Sequence, residues 1–189
     1  MVITLSRQLA SGGTEIATQV AKRLRLQYVD REIIFRAAKQ AGVPEAALAE
    51  VDEFGILPPM LSAKARRSFI STVETVIRDF AKANNTLIVG RGSQVILNEW
   101  PDSLHLQVIA PFDLRVERLM KQQKLDREAA VNRLLASDKA RTTYIRRHYH
   151  VDWLDSRLYD LVINTGKIRS EDAVELVILA AKSVGKQRG

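Results

Sequence analysis

The chain has no cysteine and only three histidines among its 189 residues. The first absence excludes a disulfide framework and any thiolate metal site, which makes a cytoplasmic protein the default. The second leaves no convincing set of metal ligands, and His105, alternating with apolar neighbours, reads as a strand residue near a sheet edge. No apolar run approaches the roughly 20 residues needed to cross a bilayer, and the N-terminal residues enter a strand-like run with no signal-peptide charge pattern. Internal repeats, low-complexity tracts and obvious linkers are also missing, so a single domain over residues 1–189 is expected. Acidic side chains are the minority, 22 against 29 Lys and Arg, for a net charge of +7. That excess implies an anionic partner, and charge alone does not choose among a nucleotide, RNA or a membrane surface.

What is present is organised around Val2 to Ile16, VITLSRQLASGGTEI. A short apolar run feeds a small-residue loop that opens into an amphipathic pattern, the arrangement that gathers backbone N–H groups around a phosphate. The Walker A pattern asks for Gly, four residues, then Gly-Lys-Ser/Thr. On that frame Arg7 takes the first Gly position, Gly12 the second, Gly13 the Lys position and Thr14 the hydroxyl position. Two of the four defining residues differ, so the loop reads either as a phosphate cradle or as a tight strand-to-helix turn. Arg7 is the basic residue inside the loop. It is expected to fold over the phosphates in place of the lysine, the alternative being an outward-facing surface arginine.

The rest of the chain alternates strand-like runs with helical periodicity. Ile16, Ala17, Val20, Ala21 and Leu24 mark one face of a first helix, Leu26 to Val29 a second strand, and Asp30 stands where a helix N-cap would precede Ile33, Ile34 and Phe35. Gly42-Val43-Pro44 breaks that helix, Pro44 suits the first turn of another, and FGILPPM from Phe54 to Met60 reads as a loop or hinge. A long helix is expected from about Ser62 to Asn84, burying Phe69, Val73, Ile77 and Phe80, with Arg66 and Arg67 near its start. Thr86 to Val89, Leu104 to Ala110 and Leu161 to Ile163 read as further strands. The third strand ends in Gly90-Arg91-Gly92-Ser93, which would deliver Arg91 to the same sheet edge as Gly12-Gly13. Five strands each followed by helix predict a parallel sheet with helices on both faces.

Two basic helices follow the fourth strand. One opens at Pro111-Phe112-Asp113 and carries Arg115, Arg118 and Lys121; the other spans about Asp126 to His148 and carries Arg133, Lys139, Arg141, Arg146 and Arg147 against Asp138. Such a run is either a solvated face or a movable clamp for transferring phosphates. Asp138 and Arg141, one turn apart, are expected to pair. A last helix is expected after Ser170 as N-cap, burying Val174, Val177, Ile178 and Ala181.

SRQLASGGTEIA, YVDREII, IVGRGSQVIL, DKARTTY, Trp153 and YDLVINT occur in this order over nearly the whole chain. Together they resemble the cytidylate kinase-like family, relatives of bacterial cytidylate kinase within the P-loop nucleoside monophosphate kinases. The resemblance implies a five-stranded P-loop kinase core, an acceptor-binding region at about 30–85 and an arginine-bearing lid at about 124–158. It implies ATP and Mg2+ as cofactors, and ATP and a monophosphate acceptor such as CMP or dCMP as partners, with no membrane and with nucleic acid ranked behind the nucleotides. Ser11, Gly12, Gly13, Thr14 and Arg118 would hold the donor, with Thr14 or Ser11 helping magnesium. Asp30, Arg31, Arg91 and Asp138 would face the acceptor; Arg7, Arg91 and Arg141 would act on the transferring group. Asp138, Tyr144 and Trp153 also match a divergent branch, where they are expected to position the lid. Ordinary members carry the Walker Lys where this chain has Gly13 and a Gly-Arg-Asp where it has Gly90-Arg91-Gly92. Two other readings stay open: a nucleotide-binding sensor or scaffold without catalysis, and a nucleic-acid binder using the basic surface with Tyr144 and Tyr149 as stacking rings.

Overall fold

A computed structural model describes residues 1–42 and 63–186. The expected short helix after Pro44 and the hinge at FGILPPM lie outside the described residues. Strand β1 (Val2–Arg7) is the centre of a five-stranded sheet. It pairs in parallel with β3 (Thr86–Val89), Val2 opposite Thr86, and with β4 (Ser103–Ile109), Val2 opposite Ser103. β2 (Gln27–Val29) adds beyond β3 and β5 (Leu161–Asn164) beyond β4, both in parallel, giving the order β2-β3-β1-β4-β5.

The helices are α1 (Gly13–Leu24), α2 (Arg31–Ala41), α3 (Ala63–Ala83), α4 (Ser93–Ile96), α5 (Phe112–Gln123), α6 (Arg127–Tyr149) and α7 (Ser170–Lys186). β1 shows why helices cover both faces. Its residues alternate between two separate cores. Ile3 and Leu5 pack with Ile16 and Val20 of α1 and Val174 and Val177 of α7. Val2 packs with Ile33 of α2 and with Phe69, Val73 and Ile77 of α3. A third, smaller cluster joins Val116 and Leu119 of α5 to Ala130 and Leu134 of α6, with Leu9 and Ala10 packed into it. The loop after β1 is thereby tied to α5 and α6.

Most element boundaries fall within two residues of the sequence expectation. α4 was not expected, because four residues are too short to show a helical period. Ser170 is the first helical residue rather than the cap. His105 lies on β4, one strand in from the edge strand β5. Its ring is buried, with Nδ1 2.8 Å from Thr4 Oγ1 and Nε2 3.2 Å from Ser103 Oγ. Among the described residues no helix is long and apolar enough to cross a membrane.

Candidate active site

The loop between β1 and α1 is shaped by its own small polar groups. Gln8 holds it to β4 twice: its N–H donates to Val108 O at 3.1 Å and its Oε1 accepts from Ala110 N at 3.1 Å. Ala10 and Gly12 turn the chain with φ of +59° and +83°. Gly12 ends as the N-cap of α1 with no side chain capping it, which leaves the first-turn N–H groups of α1 for an anion. Ser11 is directed into its own loop. Its side chain is buried, its hydroxyl donates to Gln8 O at 2.8 Å, and its own N–H also goes to Gln8 O. It stiffens the loop. Thr165 at the end of β5 donates to Ser11 O at 2.7 Å, and Arg118 donates to Thr165 Oγ1 at 2.8 Å and to its carbonyl at 3.0 Å. Arg118 therefore lies behind the same loop.

Gly13 has no room for a side chain. A Cβ there would stand 2.6 Å from Arg7 Cβ and 3.2 Å from Val108 Cβ, closer than carbon atoms approach. The Arg7 side chain takes that space and sends its guanidinium into the cleft. Arg7 Nε donates to Thr14 Oγ1 at 3.2 Å and Nη2 to Asp30 Oδ2 at 3.1 Å. A Cβ on Gly90 would lie 3.3 Å from its Nη1. Asp30 occupies the N-cap position of α2, yet its side chain caps nothing and accepts from Arg7 and, at 3.4 Å, from Tyr28.

On the opposite wall α6 brings Arg141 and Tyr144. Arg141 donates to Ser137 Oγ and to Ser137 O, and its guanidinium lies 6.0 Å from the centroid of Trp153. Trp153 is fixed to the sheet: Nε1 donates to Ser6 Oγ at 2.7 Å, and its carbonyl accepts from Gln107 and Tyr159. Burial foremost, then Arg7, with Arg91 and Arg115 adding, push the Arg141 guanidinium down to about 10 despite the opposing pull of Asp138. Cations crowd here.

The expected Asp138–Arg141 hydrogen-bonded pair does not form. Both Asp138 oxygens accept from Arg115, at 3.1 and 2.8 Å. Arg115 is buried at 3% exposure and would be an uncompensated buried charge without this carboxylate, so it takes Asp138 ahead of the half-buried Arg141. Asp138 thus ties α6 to α5 and does not line the cleft. Arg115, Thr165, Tyr28 and Gln107 received no role from the sequence. An arginine in a basic helix reads as surface until its burial is known, and neither Thr165 nor Gln107 stands out by type.

The result is a cleft of about 330 Å³ beyond the carboxyl ends of the strands, where open parallel sheets bind ligands. Arg7, Arg31, Arg91 and Arg141 line it with Thr14, and Asp30 is the one acid among the described lining residues. The other basic residues of α6 divide: Lys139, Arg146 and Arg147 are exposed. Tyr144 and Tyr149 are half-buried and pack against the α2–α3 core.

The model of the cytidylate kinase-like family matches residues 2–167. The chain belongs to that family. It is 26% identical over 189 residues to the cytidylate kinase of Methanocaldococcus jannaschii, covering 98% of this chain and all of that one. A crystal structure of an uncharacterized protein from Eubacterium ventriosum matches it with a TM-score of 0.76 at 24% identity, over 97% of this chain and 99% of that one. Shikimate kinase from Bacteroides thetaiotaomicron matches with a TM-score of 0.57 at 12% identity, over 96% and 98%. The chain shares its fold with shikimate kinase, and the family supports a nucleoside monophosphate kinase-like role.

Proposed function

We propose that the protein transfers the γ-phosphoryl group of ATP to CMP, dCMP or a related small acceptor. One observation carries this reading: four arginines from β1, α2, the β3–α4 turn and α6 meet in a single cleft beside the N-terminus of α1, with one acid among them. Such a concentration of cations favours a polyanion, and two phosphorylated substrates bound side by side supply one.

The donor triphosphate lies at the first turn of α1, against Gly12, Gly13 and Thr14, with Arg118 behind the loop. Arg7 reaches it from β1 and supplies the charge of the missing lysine. Arg31 and Arg91 hold the acceptor phosphate. An acceptor oxygen attacks the γ-phosphorus in line, the bond to the β,γ-bridging oxygen breaks, and ADP leaves; Arg7 and Arg141 screen the charge on the transferring group. Asp30 keeps Arg7 directed across the cleft, and the Arg115–Asp138 pair keeps α6 packed on α5, so that residues 124–158 can act as a lid that excludes water.

Thr14 offers one exposed hydroxyl oxygen at the start of α1, and no cluster of three acidic or histidine ligands exists among the described residues. This fits magnesium, which keeps several waters and takes its other ligands from substrate phosphates. When bound it would neutralise phosphate charge.

The test is product formation from Mg-ATP with CMP, dCMP, UMP, AMP and GMP, resolved by chromatography. A diphosphate from one acceptor, reduced by Arg141→Ala about 100-fold to 1000-fold, is the expected result. ATP binding with no diphosphate from any acceptor would favour the second reading, a nucleotide sensor, which the Gly13 and Gly92 replacements support.

A further inference from the structure

Gly90, Arg91 and Gly92 have φ of +75°, +59° and +74°. A non-glycine residue such as Arg91 keeps that left-handed conformation only where its surroundings enforce it. Backbone bonds close the turn, Gly90 N–H to Leu5 O at 3.0 Å and Ser93 N–H to Gly90 O at 3.1 Å, and one ring packs against it. A Cβ on Gly92 would lie 2.5 Å from Cε2 of Tyr149 and 3.1 Å from its Cζ, so the ring fills the place that any side chain at this position needs. Tyr149 is the last residue of α6. About two turns earlier the same helix carries Arg141. Between them Tyr144 lines the cleft and meets Tyr149 edge-on, with ring centroids 6.0 Å apart. The Tyr149 hydroxyl is buried next to Tyr144, and the atoms nearest Gly92 are ring carbons. The ring therefore makes the contact.

We propose that Tyr149 is a positioning residue: by seating the C-terminal end of α6 on the Gly90–Gly92 turn, it sets the spacing between Arg141 and Arg91 across the cleft. Without the ring the turn and the helix move independently. With a side chain at 92 the helix end is pushed away. Either change separates two cations that must meet one phosphoryl group at the same time. The kinetic consequence rests on the phosphotransferase reading, and the structural one does not.

The test reads both. The Arg141 guanidinium sits over Trp153, so the ring current of the indole marks its Nε–Hε resonance, which is assigned by its loss in Arg141→Lys. Tyr149→Phe keeps the ring and is expected to leave the resonance and turnover as in the wild type. Tyr149→Ala and Gly92→Ala are expected to move the resonance and to lower kcat about 10-fold to 100-fold, with KM for ATP changed by less than about 3-fold. A resonance that stays in place in both variants, whatever their Tm, overturns the proposal. Should the wild type form no diphosphate, the kinase reading falls while the resonance still decides the role of Tyr149. Should Tyr149→Ala not fold, Tyr149→Leu and Gly92→Ala carry the same measurement.

Discussion

The turn at residues 8–14 and the turn at 90–93 each bear a glycine where ordinary members of the family carry a charged side chain, and each glycine is filled from elsewhere by a different kind of group. At Gly13 the visitor is Arg7, whose stem would meet a Cβ at 2.6 Å; at Gly92 it is the Tyr149 ring, at 2.5 Å. The first exchange preserves a cation near the loop, moved from the start of α1 to the end of β1. The second replaces a charge with apolar contact and gives the adjacent arginine turn a mechanical support. A missing motif residue is thus weak evidence about activity until the atoms occupying its place are known.

The comparison is broken most forcefully at Gly13. Restoring the lysine with Gly13→Lys should cost about 3 kcal/mol of stability and abolish transfer, because neither Arg7 Cβ nor Val108 Cβ can yield within the sheet. Adding Arg7→Gly should recover part of both, as read by the midpoint of denaturant unfolding and by the rate of diphosphate formation. If the double variant is no better than Gly13→Lys alone, the two positions have not exchanged roles.

At the second turn, Gly92→Asp should cost roughly 2 kcal/mol, from a strained left-handed residue and overlap with a ring. Here the companion change Tyr149→Ala should relieve the overlap and leave the backbone strain, so rescue is smaller than at Gly13. Equal rescue at both turns would mean that the φ of +74° at Gly92 carries little cost.

The smallest effect is a control that neither turn should alter. Burial, against the pull of Asp160 and of a backbone bond at Leu97, holds the His105 imidazole below its ordinary value of 6.5. The unfolded chain then binds the proton first, so stability is full above about 6.5 and is lost as the pH falls below it. The unfolding midpoint should drop between about pH 7 and pH 5, with a shallower slope in His105→Gln and an unchanged slope in the glycine variants.

Much of the fold was legible because the strands are short and apolar and the helices periodic. TLIV at Thr86–Val89 fits a strand buried on both faces and is one, and Phe69, Val73 and Ile77 all point into the α2–α3 core. The placement of Arg91 at the same sheet edge as Gly12-Gly13 was legible, since strand ends and the residues after them fix it. The hydrogen bonds of the site were not. Asp138 and Arg141 satisfy helical spacing, yet Asp138 goes to Arg115 on another helix. Ser11 has the right type for a phosphate ligand, yet it is spent on its own loop. Spacing ranks neighbours along one element and is blind to a better partner on the next.

The sequence by itself determined the parallel sheet, the loop before α1 and the excess of arginine, because periodicity, small residues and charge are local properties that any packing must respect. Only the tertiary structure decided that no side chain fits at Gly13 or Gly92, that Arg7 turns inward to Asp30 and Thr14, and that Tyr149 seats on the Arg91 turn. Those outcomes depend on van der Waals contact between segments far apart in the chain, and such contact exists only once the sheet has brought them together.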